Sequence, residues 1–196
     1  MNRLQGDEHV YVTKRGFGWY QQELLDLFCE EALAGGYGVI YMVRDPADVL
    51  TSRHRGDSST QYYLSPDRWV ESVRGGEHLV SQLDGRVPFL TIRYEDLVTD
   101  PEATRQQIES CFDMQLRSEV TSWSDLGENV DAGALGDLAT ALHSIRSFDA
   151  DSIGKWKRTE SLADYWEGLL CGEFGDELLQ FGQRYQYDST KIVAGS

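Results

Sequence analysis

Val39-Ile40-Tyr41-Met42-Val43-Arg44-Asp45-Pro46-Ala47-Asp48-Val49-Leu50-Thr51-Ser52 is the stretch on which the fold turns. It opens on a short, continuous apolar run rich in β-branched residues, with Gly38 before it. That is the pattern of a strand buried on both faces. Arg44 stands at its carboxyl end. Asp45 and Pro46 follow as an N-cap and first-turn pair, which predicts a helix over Pro46 to Arg55. A strand that hands over at once to a capped helix is the unit of an open α/β sheet, and ligands of such sheets bind beyond the carboxyl ends of the strands. An anion there meets the Arg44 guanidinium and a helix N-terminus together. Ser52 comes seven residues after the cap, two helical turns along, on the same face as Asp45. Arg44 and Ser52 are thereby suited to grip one phosphate. The plainer alternative is a salt bridge between Arg44 and Asp48 at a helix start, with Asp45 and Pro46 serving only as caps.

The same alternation continues on both sides. Upstream, His9 to Thr13 reads as a strand and Trp19 to Leu33 as a helix. Downstream, Ser65-Pro66 opens a helix to about Leu83, Val87 to Arg93 forms a third strand, and Asp100-Pro101 starts a helix ending near Phe112. Short apolar runs alternating with helical periodicity predict βαβ units and a mostly parallel central sheet flanked by helices. A Gly-, Asp- and Ser-rich stretch from Ser124 to Asp137 reads as a surface loop. Helices over Leu162 to Leu170 and Glu173 to Phe181 close the chain, and residues 186–196 read as a frayed tail. With no internal repeat or linker, residues 1–196 are expected to form a single domain.

Charge narrows the function. Eighteen basic against 33 acidic residues give −15, which excludes nucleic acid as a partner, because phosphate backbones demand a basic face. A small anionic ligand is compatible, since a few Arg, Lys and backbone N–H groups can focus positive potential inside an acidic protein. No apolar run has the length of a membrane span and no leader pattern precedes the first strand, so a soluble, cytoplasmic protein is expected. Cys29, Cys111 and Cys171 lack the spacing of a metal or disulfide framework and read as reduced core residues. No metal is expected.

The Arg44 segment resembles the 3′-phosphate-binding segment of the sulfotransferase superfamily, Arg-Asp-Pro-x-Asp-Val-x-x-Ser, with Arg44, Asp45, Pro46, Asp48, Val49 and Ser52 all matching. Two further segments are similar to the family and lie in its order. Phe89 to Pro101 looks like the family's strand followed by Tyr-Glu-Asp-Leu and Asp-Pro, which would put Tyr94 at a strand end near an adenine; otherwise it is a core aromatic. Glu95 and Asp96 read as structural. Arg146 to Arg158 resembles the carboxyl-terminal stretch that covers the cofactor, Ser-x-Gly-x-Trp-Lys, and brings Arg146, Gly154, Lys155 and Lys157 toward a phosphate as a lid. Its alternative is a solvated basic helix start with Trp156 in the core. The likeness extends over about residues 9–185.

The resemblance implies a P-loop NTPase-like three-layer α/β fold and 3′-phosphoadenosine 5′-phosphosulfate as co-substrate. The implied reaction moves its sulfuryl group to a hydroxyl or amine, the acceptor being a small molecule or a glycan. It also raises a question at the amino terminus. The family holds the phosphosulfate with Lys-Ser-Gly-Thr-Thr-Trp, and the nearest match is Lys14-Arg15-Gly16-Phe17-Gly18-Trp19, which lacks the hydroxyls. Only 30 residues separate Lys14 from Arg44. In a second register Val12 to Arg15 resembles a later family strand ending in Lys-Thr-His or Lys-Thr-Pro, and the first strand and loop would be absent from this chain. Lys14 would neutralise the sulfuryl or bridging oxygen in either register, and Ser152 would help position the sulfuryl group. Neither register supplies a general base, and His9 and His54 read as ordinary histidines. Two other functions stay open: a non-catalytic nucleotide-binding module, and a nucleotide kinase, against which the lack of Gly-x-x-x-x-Gly-Lys-Ser/Thr argues.

Overall fold

A computed structural model describes residues 21–53, 62–116 and 150–190. The strand expected over His9 to Thr13, Lys14, His54, the loop from Ser124 to Asp137 and Arg146 lie outside the described residues. Helix α1 (Gln22–Gly35) buries Leu25, Cys29 and Ala32 along one stripe, and Gly36 ends it at a left-handed φ of 63°. Strand β1 (Val39–Val43) follows, then the short helix α2 (Pro46–Leu50) with Asp45 as its N-cap. Helix α3 (Pro66–Leu83) spans the range that Ser65-Pro66 predicts. It leads to β2 (Phe89–Arg93), which begins two residues later than the apolar pattern suggests. Pro88 has no N–H to give, and it contributes only its carbonyl, to the Val39 amide at 2.8 Å.

β1 and β2 are parallel, in register from Val39 opposite Phe89 to Val43 opposite Arg93. Helices α4 (Tyr94–Thr99) and α5 (Pro101–Phe112) come next, with Asp100 accepting from the Ala103 amide at 2.9 Å to cap α5. After two 3₁₀ turns, Ala150–Ser152 and Lys155–Arg158, the chain ends in α6 (Glu160–Leu170) and α7 (Gly175–Tyr185). The result is a mixed α/β fold, mostly helical, around a small parallel sheet.

Two apolar clusters hold one face of the sheet. Leu25, Cys29 and Ala32 pack with Val39, Leu79 and Leu83. Val43, Ala47 and Leu50 pack with Trp69, Val70, Trp166, Leu178, Phe181 and Tyr187. Burying each such large side chain contributes about 1.5–3 kcal/mol. Gly76 lets α3 approach β1, because an added Cβ would overlap the Tyr41 hydroxyl.

Four expectations need correction. β1 is buried on one face only, with Ile40 45% and Met42 50% exposed, because α5 packs across β2 on that side. The helix after Asp45 ends at Leu50 rather than Arg55. There the Thr51 hydroxyl bonds the Ala47 carbonyl, and Ser52 is drawn into an extended pairing with Tyr63 beside the Arg53–Tyr62 bridge. The start of the supposed frayed tail is packed: Tyr187, Ser189 and Thr190 are buried and the last two sit in a 3₁₀ turn. Of the cysteines only Cys29 is buried; Cys111 is half-buried and Cys171 exposed.

Candidate functional site at the carboxyl ends of the strands

The register of the sheet builds the site. Because Val43 lies opposite Arg93, the next residues of each strand, Arg44 and Tyr94, leave the sheet side by side. The Arg44 guanidinium stacks over the Tyr94 ring, 4.5 Å from its centroid. One residue further, the Asp45 amide donates to Glu95 Oε1 at 2.9 Å. Glu95 is buried, and its other oxygen accepts from the Tyr187 hydroxyl at 3.0 Å. Asp45 Oδ1 accepts both the Ala47 amide, at 2.9 Å, and the Ser189 hydroxyl, at 2.6 Å. The segment after α7 is thus a strap under the crevice, held also by the Trp166 indole, which donates to the Ser189 carbonyl at 2.9 Å. The Arg93 guanidinium lies 4.6 Å from the Tyr187 ring centroid.

The segment 150–158 closes the site from above. Arg44 Nη2 donates to the Ser152 carbonyl at 3.4 Å, and the Tyr94 and Ser152 hydroxyls are 3.4 Å apart. Gly154, at φ 68°, turns the chain so that its amide donates to Asp48 Oδ2 at 2.8 Å. Lys155, Lys157 and Arg158 stand on the exposed side of the second 3₁₀ turn. The Lys157 ammonium lies 5.3 Å from the centre of the Trp156 ring.

Charge in the crevice is finely balanced. Burial pushes the Asp48 carboxyl above its usual range, and the Gly154 amide and the Arg44 charge draw it partly back. Burial raises Asp45 as well, against the Ser189 and Ala47 hydrogen bonds. Burial, with the Glu95 carboxylate beside it, also drives the Tyr187 hydroxyl upward, so it remains a donor. Arg44 Nε is buried with no hydrogen-bond partner among the described residues.

Arg44, Tyr94 and Ser152, separated by up to 108 positions in sequence, therefore meet, Gly154 is tied to Asp48 beside them, and Lys155 and Lys157 are exposed on the turn that follows. Ser52 lies beyond the end of α2, and its hydroxyl donates to the Asp48 carbonyl at 2.5 Å. To donate to a phosphate it must first rotate away from that carbonyl. With α2 only five residues long and its Ala47 amide already taken by Asp45, little of the helix-terminus attraction remains for an anion. Side chains must supply the positive potential. Lys14 and Arg146 are outside the described residues. Sequence reasoning missed the strap residues Tyr187 and Ser189 and the bond from Gly154 to Asp48. Only the Asp and Gly of the two motifs hinted at the latter. Glu95 has the structural role read for it.

No described helix is long and apolar enough to cross a membrane. Among the described residues no cluster of His, Cys, Asp and Glu is arranged to hold a metal. No curated protein and no solved structure matches the chain. The model of the sulfotransferase family matches residues 36–118, the stretch that carries Arg44, Asp48, Ser52 and Tyr94. On that match, and on the parallel strand pair that sets Arg44 beside Tyr94, residues 36–118 of this chain are similar to the sulfotransferase family.

Proposed function

We propose that the crevice binds 3′-phosphoadenosine 5′-phosphosulfate and that the chain uses it as sulfuryl donor to a hydroxyl or amine of a small molecule or glycan. The observation that carries this reading is the state of Arg44. Its guanidinium is oriented by the Tyr94 ring and the Ser152 carbonyl, yet its buried Nε has no hydrogen-bond partner among the described residues. A buried charged donor left unsatisfied is costly, and an anion is the ligand that removes the cost. The exposed cations Lys155, Lys157 and Arg158 lie on the segment touching Arg44, in a chain of net charge −15.

In this reading Arg44 and a rotated Ser52 hold the 3′-phosphate, Tyr94 stands at the adenine side, and the segment from Arg146 to Lys157 covers the nucleotide. Lys14 neutralises charge on the bridging oxygen, where it develops as the sulfur leaves, and Ser152 positions the sulfuryl group. In-line transfer breaks the bond from sulfur to the bridging oxygen and forms one to the acceptor oxygen or nitrogen. The acceptor gives up its proton, and 3′,5′-adenosine bisphosphate departs.

The test is calorimetry with 3′,5′-adenosine bisphosphate on the wild type and Arg44→Ala. Losing a charge-assisted bond costs about 1.5–3 kcal/mol, so the variant should bind roughly 10- to 150-fold more weakly. Equal affinity in the two proteins would remove Arg44 from the site. Conversion of the phosphosulfate to the bisphosphate, followed across a panel of hydroxyl and amine acceptors, then separates an enzyme from a module that only binds.

A further inference from the structure

Asp48 is the least expected buried charge in the molecule. It lies in α2 with only 3% of its surface exposed, and its Oδ1 has no hydrogen-bond partner among the described residues. Oδ2 accepts the Gly154 amide at 2.8 Å, across 106 residues of sequence, and the Lys155 amide acts on the same carboxylate. Gly154 needs that acceptor. Its backbone is left-handed, and it joins the 3₁₀ turn that carries Ser152 to the one that carries Lys155, Trp156 and Lys157. Two successive amides directed at one carboxylate fix the direction of the chain between those turns.

We propose that Asp48 is a positioning residue for the nucleotide-covering segment: its carboxylate holds the Gly154 turn, which presents Ser152 to Arg44 and Tyr94 and Lys155 to the crevice rim. The segment is thereby largely built before the ligand arrives and is only tightened by it, so binding loses less conformational entropy. Repulsion between Asp48 and an incoming phosphate is limited because the carboxylate's charge is spent on backbone amides and faces Arg44. The covering segment and the Arg44 helix start are in this way one mechanical unit.

The affinity part of this proposal rests on the nucleotide site proposed above; the structural part does not, so the experiment reads both. Amide hydrogen exchange of the ligand-free full chain is compared for wild type, Asp48→Ala, Asp48→Glu and Asp48→Asn. Asp48→Ala should raise exchange over residues 152–156 at least about tenfold while α1 and α3 keep their protection. Asp48→Asn retains an acceptor oxygen at the same position and should restore protection. Where Asp48→Ala does not fold, Asp48→Glu serves, because one added methylene displaces the acceptor and should give the same local acceleration. In calorimetry with 3′,5′-adenosine bisphosphate, Asp48→Ala should bind about tenfold more weakly and Asp48→Asn within about threefold of wild type. Unchanged exchange at 152–156 in Asp48→Ala or Asp48→Glu overturns the proposal, as does failure of Asp48→Asn to restore it. Absence of bisphosphate binding by a wild-type chain that shows the exchange pattern counts against the nucleotide reading alone.

Discussion

Glu95→Ala should be among the most damaging single substitutions near the crevice, although Glu95 touches no proposed ligand. The carboxylate takes two donors, the Asp45 amide at 2.9 Å and the Tyr187 hydroxyl at 3.0 Å, and is 8% exposed. Truncation strands both. A buried donor left unsatisfied costs about 1–3 kcal/mol, and the volume vacated by the side chain adds a cavity cost on the same scale. About 3 kcal/mol is the lower end of that sum. For a chain of this size each kcal/mol moves Tm by about 2–4 °C, so at that end Tm should fall by about 6–12 °C. Tyr187→Phe removes one of the two donors and should cost about 1–2 kcal/mol. In the double variant the losses should fall short of additivity by about 0.5 kcal/mol or more, because both residues belong to one bond. Urea unfolding at neutral pH measures all three. A Glu95→Ala loss below about 0.5 kcal/mol, the range of an ordinary surface change, would refute the argument that this carboxylate ties the strand ends to the strap.

Asp48 has its carboxyl raised above the ordinary 3.8 by burial. The folded protein therefore holds that proton more tightly than the unfolded chain, and the ionised form is a liability that grows as pH climbs above about 3.8. Asp48→Asn should accordingly gain stability relative to wild type as pH climbs above about 3.8, and urea titrations showing the opposite slope would exclude that origin. Gly76→Ala should cost about 1–3 kcal/mol by overpacking, since the new methyl meets the Tyr41 hydroxyl; a neutral result in thermal unfolding would mean α3 can shift without loss. On adding 3′,5′-adenosine bisphosphate, residues 150–158 should exchange more slowly, and protection confined to other segments would remove this one from the covering role.

The local signals in the sequence were strong where a single backbone rule decides. Asp45-Pro46, Ser65-Pro66 and Asp100-Pro101 each mark a helix start that the structure has at the same residue. The rule is local: a cap and a proline act on the next turn whatever the rest of the chain does. The Arg44 motif was legible for the same reason, since a strand end and a helix start are adjacent in sequence. Helix length was not local. α2 stops at Leu50 because Ser52 and Arg53 are drawn into pairing with Tyr62 and Tyr63, a competition no propensity reports.

By itself, then, the chain's sequence determined the α/β class, the parallel pairing implied by strand and helix in alternation, and the identity of the basic and aromatic residues available for an anion. The tertiary structure alone decided which of them meet. The one-residue step from Val43 and Arg93 sets Arg44 on Tyr94 and Asp45 on Glu95, and only pairing register can do that. Tyr187, Ser189 and Thr190 read as the polar end of a chain. They are buried because Gly182 leaves room against Thr190, and because Glu95, Asp45 and the Trp166 indole require partners that only those residues reach. Their positions are set by unsatisfied polar groups up to 144 residues away, and that requirement leaves no periodic trace in the sequence.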